Sequence, residues 1–249
     1  MTIPIALQLY SLREEAGKDF PGMLKAVAEM GYEGVEFAGY GGLPAKELKK
    51  MLDDLGLRVA GSHVGYNFLT EQFEETVEYN LEIGNKRLIC PAAPRDQLTT
   101  GADWADFGKK LAEIAAKAQE QGIQIGYHNH AFEFEQFDGK YALDLLFENA
   151  DPDLVFAELD LGWVFKAGVD PAGYLAQYPG RCPLVHIKDF KKDGNQVEVG
   201  TGDVDWSQVV KTAKEVGVEW YIIETEEYTM APRDSVKLGL DNLRKIIGQ

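Results

Sequence analysis

The sequence predicts an α/β protein in which eight parallel strands, each followed by a helix, close into a single (β/α)8 barrel over residues 1–249. Three observations carry that expectation. One phrase recurs along the chain: an amphipathic helical run, a glycine, and a short apolar strand. The 249 residues match the roughly 250 that eight such units need. No Ser/Pro-rich or charge-block stretch divides the chain, so one core is expected.

Taken in order, the strands are expected near 3–10, 34–38, 58–64, 87–92, 123–130, 155–161, 183–189 and 219–225. The phrase is plainest in "KAVAEMGYEGVEF", "KMLDDLGLRVAGSH", "NLEIGNKRLIC", "KAQEQGIQIGYH" and "TAKEVGVEWYIIE". Gly31, Gly56, Gly84, Gly122 and Gly217 suit the left-handed position just past a helix, where a side chain would be strained. A last helical pattern, "RDSVKLGLDNLRKIIG", closes the chain. An open doubly wound sheet is the competing architecture. It usually carries a Gly-rich phosphate loop after its first strand, whereas here that strand runs into "QLYSLREE".

A formal charge of -16 argues against nucleic acid as a partner, because phosphate backbones are bound by clustered Lys and Arg. No apolar run approaches the roughly 18 residues of a membrane helix, and the first residues lack the basic-then-apolar order of a secretory signal. Cys90 and Cys182 stand in apolar, strand-like contexts and read as buried thiols in a reducing compartment. A cytoplasmic protein without a membrane partner is therefore expected. A homo-oligomer is compatible with the sequence, which says nothing further about association.

In such a barrel, function gathers at the C-terminal ends of the strands. The expected ends carry Gln8 and Tyr10, Glu36, Ser62 and His63, Cys90, His128 and His130, Asp160, His186 and Lys188, and Glu224. All four histidines fall on this one rim. Strand alternation puts Gly126, His128 and His130 on one face, read as inward, and Tyr127 and Asn129 on the other. Asp160, His186 and Glu224 each stand where an apolar run stops. Two carboxylates and an imidazole from successive strands suit a divalent metal, and a fourth ligand is expected from "YHNHAFEFE" on the preceding strand. For Asp160 the competing reading is a cap on the following turn.

Together these residues resemble the xylose-isomerase-like (endonuclease IV-like) TIM barrels, the sugar phosphate isomerases/epimerases. The likeness runs from "IALQLYSLRE" through "GYEGVEF", "VAGSHVGY", "YHNHAFEF", "LDLGWVFKAGVDP", "VHIKDF" and "GTGDVDW" to "IIETEEY". It implies one divalent ion (Mn, Mg, Co or Zn) held by a Glu of strand five, Asp160, His186 and Glu224. Gly126 stands nearest the usual strand-five Glu, so Glu133, or else His128, is expected to supply that ligand. Trp163 replaces a His found in many relatives and reads equally as a packed ring or a platform for a sugar face. With few histidines left for the multi-metal cluster of the DNA-repair relatives, nuclease activity is not expected.

The resemblance implies a sugar isomerase or epimerase that abstracts a proton beside a carbonyl and passes through an enediolate. Glu224, with His128, His130 or Glu133, would move the protons. Gln8, Glu36, His63, Trp163 and Lys188 would bind the small-molecule sugar, although Gln8, Glu36 and His63 read equally as strand-end hydrogen bonding and a rim Lys such as Lys188 more often pairs with a nearby acid such as Asp189. Asp203 and Asp205 in "GTGDVDW" would repel a phosphate, and Asp205 reads as a helix cap, which points to an unphosphorylated sugar, keto-sugar or cyclitol. Two alternatives stand beside this. One is a dehydratase or lyase on an inosose, keto-sugar or keto-glycoside using the same chemistry. The other is a non-catalytic sugar-binding barrel.

Overall fold

A computed structural model describes residues 2–249. Eight strands form one closed ring: β1 (Ile5–Gln8), β2 (Gly34–Phe37), β3 (Arg58–His63), β4 (Arg87–Cys90), β5 (Gln124–His128), β6 (Val155–Asp160), β7 (Leu184–Ile187) and β8 (Trp220–Ile223). Each pairs in parallel with its sequence neighbours, and β1 pairs with both β2 and β8 to close the cylinder. The fold is therefore the predicted (β/α)8 barrel, with helices outside every crossover.

Local chemistry sets the helix ends. Asp19 caps Phe20–Met30 by accepting from Gly22 N, and Pro21 stands in the first turn, where its missing N–H costs nothing. Thr100 and Asp103 make a reciprocal capping box on the long helix Gly101–Glu120. Asp205 caps Trp206–Val216 through Gln208 N at 3.1 Å, as read from the sequence. The five punctuating glycines all adopt positive φ, from 68° at Gly56 to 95° at Gly31.

All eight strands stop one or two residues earlier than expected, and at two of them the early end redirects the chain beside the rim. Past His128 the chain leaves the barrel and enters a short 3-10 turn, Phe132–Phe134, so alternation does not extend to His130. Past Ile187 it crosses into a two-stranded hairpin, Asp189–Phe190 with Gln196–Val197.

The cylinder is filled in layers. Ala6, Ala60, Ile89, Phe156, Leu184, Trp220 and Ile222 form an apolar plug distinct from the larger core under the helices. Gly126 faces this plug: a Cβ there would lie 2.3 Å from the Phe156 ring. Tyr127 points the other way, between Phe107 and Phe147. Cys90 and Cys182 are buried and unpaired. No helix among the described residues is long and apolar enough to cross a membrane.

Gly162 lets the helix Leu161–Lys166 pass hard against the end of β7, since a Cβ there would lie 2.1 Å from the Lys188 carbonyl oxygen. Gly162→Ala should cost about 1–3 kcal/mol, read as a lowered urea midpoint at unchanged m-value. In the helix Pro232–Ile247, a Cβ at Gly239 would meet nothing nearer than 3.6 Å. Gly239→Ala should therefore stabilise by about 0.5–1 kcal/mol in the same measurement.

Candidate metal centre and cavity

Above the apolar plug the inward positions turn polar, and β6, β7 and β8 supply them at alternate residues: Glu158 and Asp160, His186 and Lys188, and Glu224. The ring registers His128 beside Glu158, and Asp160 beside His186. Potential ligand atoms of His128, Asp160, His186 and Glu224 lie within 4.8 Å of one another, and all four residues are buried. His186 Nδ1 is 2.9 Å from Glu224 Oε2 and 3.8 Å from Asp160 Oδ2. A second convergent group, His63, His128, Glu158 and His186, lies beside it and shares two imidazoles.

Asp160 divides its oxygens. Oδ1 accepts from Trp163 N at 2.9 Å and caps the helix Leu161–Lys166, while buried Oδ2 has no hydrogen-bond partner and faces the cluster. Asn129 staples the same strand end, accepting from Asp160 N at 3.1 Å. His128 Nδ1 is also buried without a hydrogen bond, 3.3 Å from Glu158 Oε2. Asp160 Oδ2 and His128 Nδ1, each without a hydrogen bond, stand with the carboxylate of Glu224 and the imidazole of His186 in a donor set that suits a divalent cation of the Mn, Mg, Co or Zn kind.

Burial and mutual attraction shift these groups in opposite directions. Burial would raise Glu224, but Lys188 and His186 outweigh it and hold the carboxyl below its ordinary value. Burial likewise opposes the charge on His63, yet Glu36 and Glu158 push the imidazole up to about 10. His130 goes the other way: burial, then Lys188, brings it down to about 4. Burial, then repulsion from Glu36, raises Glu158.

A cavity of about 410 Å³ opens over this floor, lined on its polar side by His63, His128, His130, Glu224 and Glu226, with Tyr10 at its mouth. That size falls in the usual range for small-molecule sites. Its opening at the C-terminal ends of the strands is the position the fold reserves for function.

Several expected residues stand elsewhere. Glu133 is outside the constellation: its carboxylate accepts from Tyr127 Oη and from His130 N, both at 2.8 Å, which spends it on holding the loop after β5. His128 occupies the strand-five place instead. Gln8 and Glu36 do not line the cavity, because both are fully buried beneath it. Lys188 does not pair with Asp189. Its Nζ lies 3.1 Å from Asp160 Oδ2 and 2.9 Å from Glu224 Oε2, and it donates to Glu226. Asp189 instead accepts from the backbone of Gly200, Gly202 and Val204. Trp163 packs near Phe190 and His130, with Lys188 Nζ 4.8 Å from its ring centre. The sequence reading passed over Glu158, although alternation from Asp160 through "ELD" puts it on the inward face.

Comparison with known proteins agrees with the fold. The inosose dehydratase of Clostridium tetani is 24% identical, over 85% of this chain and 84% of that relative. The crystal structure of a sugar phosphate isomerase/epimerase from Parabacteroides distasonis superposes with a TM-score of 0.86 at 26% identity, covering 98% of this chain and 96% of that one. The IolI protein, whose crystal structure holds a zinc atom, shares the fold at 14% identity and a TM-score of 0.81 over 99% of this chain and 98% of that one. The profile of the xylose isomerase-like TIM barrel family matches residues 24–246, and the chain belongs to that family.

Proposed function

We propose that the protein is a divalent-metal-dependent lyase that dehydrates a keto-cyclitol or keto-sugar by removing the proton beside its carbonyl. The observation that carries the reading is the convergence of His128, Asp160, His186 and Glu224 on one buried point under a cavity that two further histidines line. A bound dication would polarise the substrate oxygens and offset the negative charge that builds as the carbon loses its proton.

The chain's own groups would do the rest. Elimination breaks a C–H and a C–O bond, so it needs one group to accept the proton and another to donate one to the departing oxygen. His130, beyond the end of β5, and His63, at the end of β3, line the same cavity and can divide these parts. Lys188, held among Asp160, Glu224 and Glu226, keeps positive charge beside the ligand carboxylates. Relatives named inosose dehydratase, spanning more than four-fifths of the chain, support dehydration and suggest a cyclitol ketone as substrate.

An isomerase or epimerase is the second reading, favoured by the structural neighbour of that description at 26% identity. Both begin with the same proton abstraction and differ in whether an oxygen then leaves. Manganese-loaded protein incubated in deuterated water with inososes and keto-hexoses separates them. Dehydration should yield a product lighter by one water, whereas isomerisation conserves composition and only exchanges hydrogen. Absence of both exchange and product would leave a sugar-binding barrel.

Variants assign the parts. Asp160→Ala, Glu224→Ala and His128→Ala should each lose bound metal by elemental analysis and turnover with it. His130→Ala should keep the metal and lose about 10²–10⁴-fold in kcat. Glu133→Gln should also keep the metal. Wild-type metal content and rate in both Asp160→Ala and Glu224→Ala would end this reading.

A further inference from the structure

Glu36, at the end of β2, lies across the barrel from His186 and beneath it, with no part of its side chain in the cavity. Its Oε2 is 2.7 Å from His186 Nε2. The other ring nitrogen, Nδ1, is the one facing Glu224 and Asp160. We propose that Glu36 is a positioning residue, which takes the Nε2–H of His186 and so fixes Nδ1 as the atom that ring presents to a divalent ion. The inference rests on the metal reading above.

An ionised carboxylate only accepts hydrogen bonds, so the ring nitrogen facing Glu36 has to carry the hydrogen. Nδ1 meets a carboxylate too, Glu224 Oε2 at 2.9 Å, and carries a hydrogen until a divalent ion takes that place; the Nε2–H then stays with Glu36, as metal-bound imidazoles characteristically donate their other N–H to such a partner. The ring has little freedom to turn. His63 stacks parallel to it at 5.4 Å between centroids, and His128 packs at 4.5 Å.

Glu36 is itself fixed from behind. Gln8 Nε2 donates to the same oxygen at 2.8 Å, and Gln8 is anchored in turn by accepting from Tyr10 N at 3.0 Å. Gly61 leaves room for the carboxylate, since a Cβ there would lie 3.0 Å from Glu36 Oε1 and 2.6 Å from Ile89 Cδ1. Five residues from four strands thus hold one ring in one orientation. This gives Gln8 and Glu36 a purpose that substrate contact cannot, because both are sealed from the cavity.

The test is a titration of metal-free protein with Co²⁺, whose visible absorption reports coordination, and with Mn²⁺. Wild type should bind one ion. Glu36→Gln should still bind one, about 10–100-fold more weakly, when titrated well below its own thermal midpoint. Gln8→Met should weaken binding in the same direction by a smaller factor, and it carries the comparison if Glu36→Gln does not fold. A purely structural role would move the midpoint and leave the affinity of the folded protein alone, which overturns the proposal. So does wild-type affinity in both variants. Two ions in wild type and one in Glu36→Gln would make Glu36 a ligand and overturn it likewise. No ion in wild type would instead remove the metal reading, and the inference with it.

Discussion

Four carboxylates, those of Glu36, Glu158, Asp160 and Glu224, are buried inside one cylinder, and the rest of the site is arranged to make that tolerable. An isolated buried carboxylate costs several kcal/mol, so each must meet a cation, a donor or a proton. Imidazoles and an ammonium alternate with the acids accordingly: Glu36 with His186 and His63, Glu158 with His63, and Glu224 and Asp160 with Lys188. Removing any one member leaves another uncompensated, which binds the cluster into a unit.

Parallel strands impose this crowding. Residues two apart on a strand face the same way, and the barrel stacks them in layers. On β6 the inward sequence is Phe156, Glu158, Asp160; on β7, Leu184, His186, Lys188; on β8, Trp220, Ile222, Glu224. The apolar plug thus ends at one level around the ring, and the polar layer begins on top of it. Water is excluded from below, so charge interactions in the upper layer are stronger than at an open surface.

The loops then close the layer from above. Asp189, read as a partner for Lys188, gathers the backbone of Gly200, Gly202 and Val204 and shapes the loop after β7. Gln196 in the adjoining hairpin accepts from Glu226 N and Glu227 N, and Glu198 takes Thr229, which ties the loop after β8 to that hairpin. This brings Glu226 over Lys188. A reading that pairs sequence neighbours fails here, because Lys188 is inside the barrel while the chain turns outward at Asp189.

The sequence by itself determined the eight strands, the glycines that end the helices, and the rim where Asp160, His186 and Glu224 stop three apolar runs. These are consequences of short-range periodicity and of backbone conformations that only certain residues tolerate. It also supplied the family likeness. Which strand-five group joins the cluster was decided only in three dimensions: β5 ends at His128, the next residues turn away, and Glu133 is taken by Tyr127 and His130 N. The placing of Gln8 and Glu36 beneath His186 likewise depends on the closure of β1, β2 and β7 around one axis. Periodicity tells which face a side chain is on, but depth along that face, and which partner across the barrel it meets, follow from strand register and closure, which no local stretch of chain encodes.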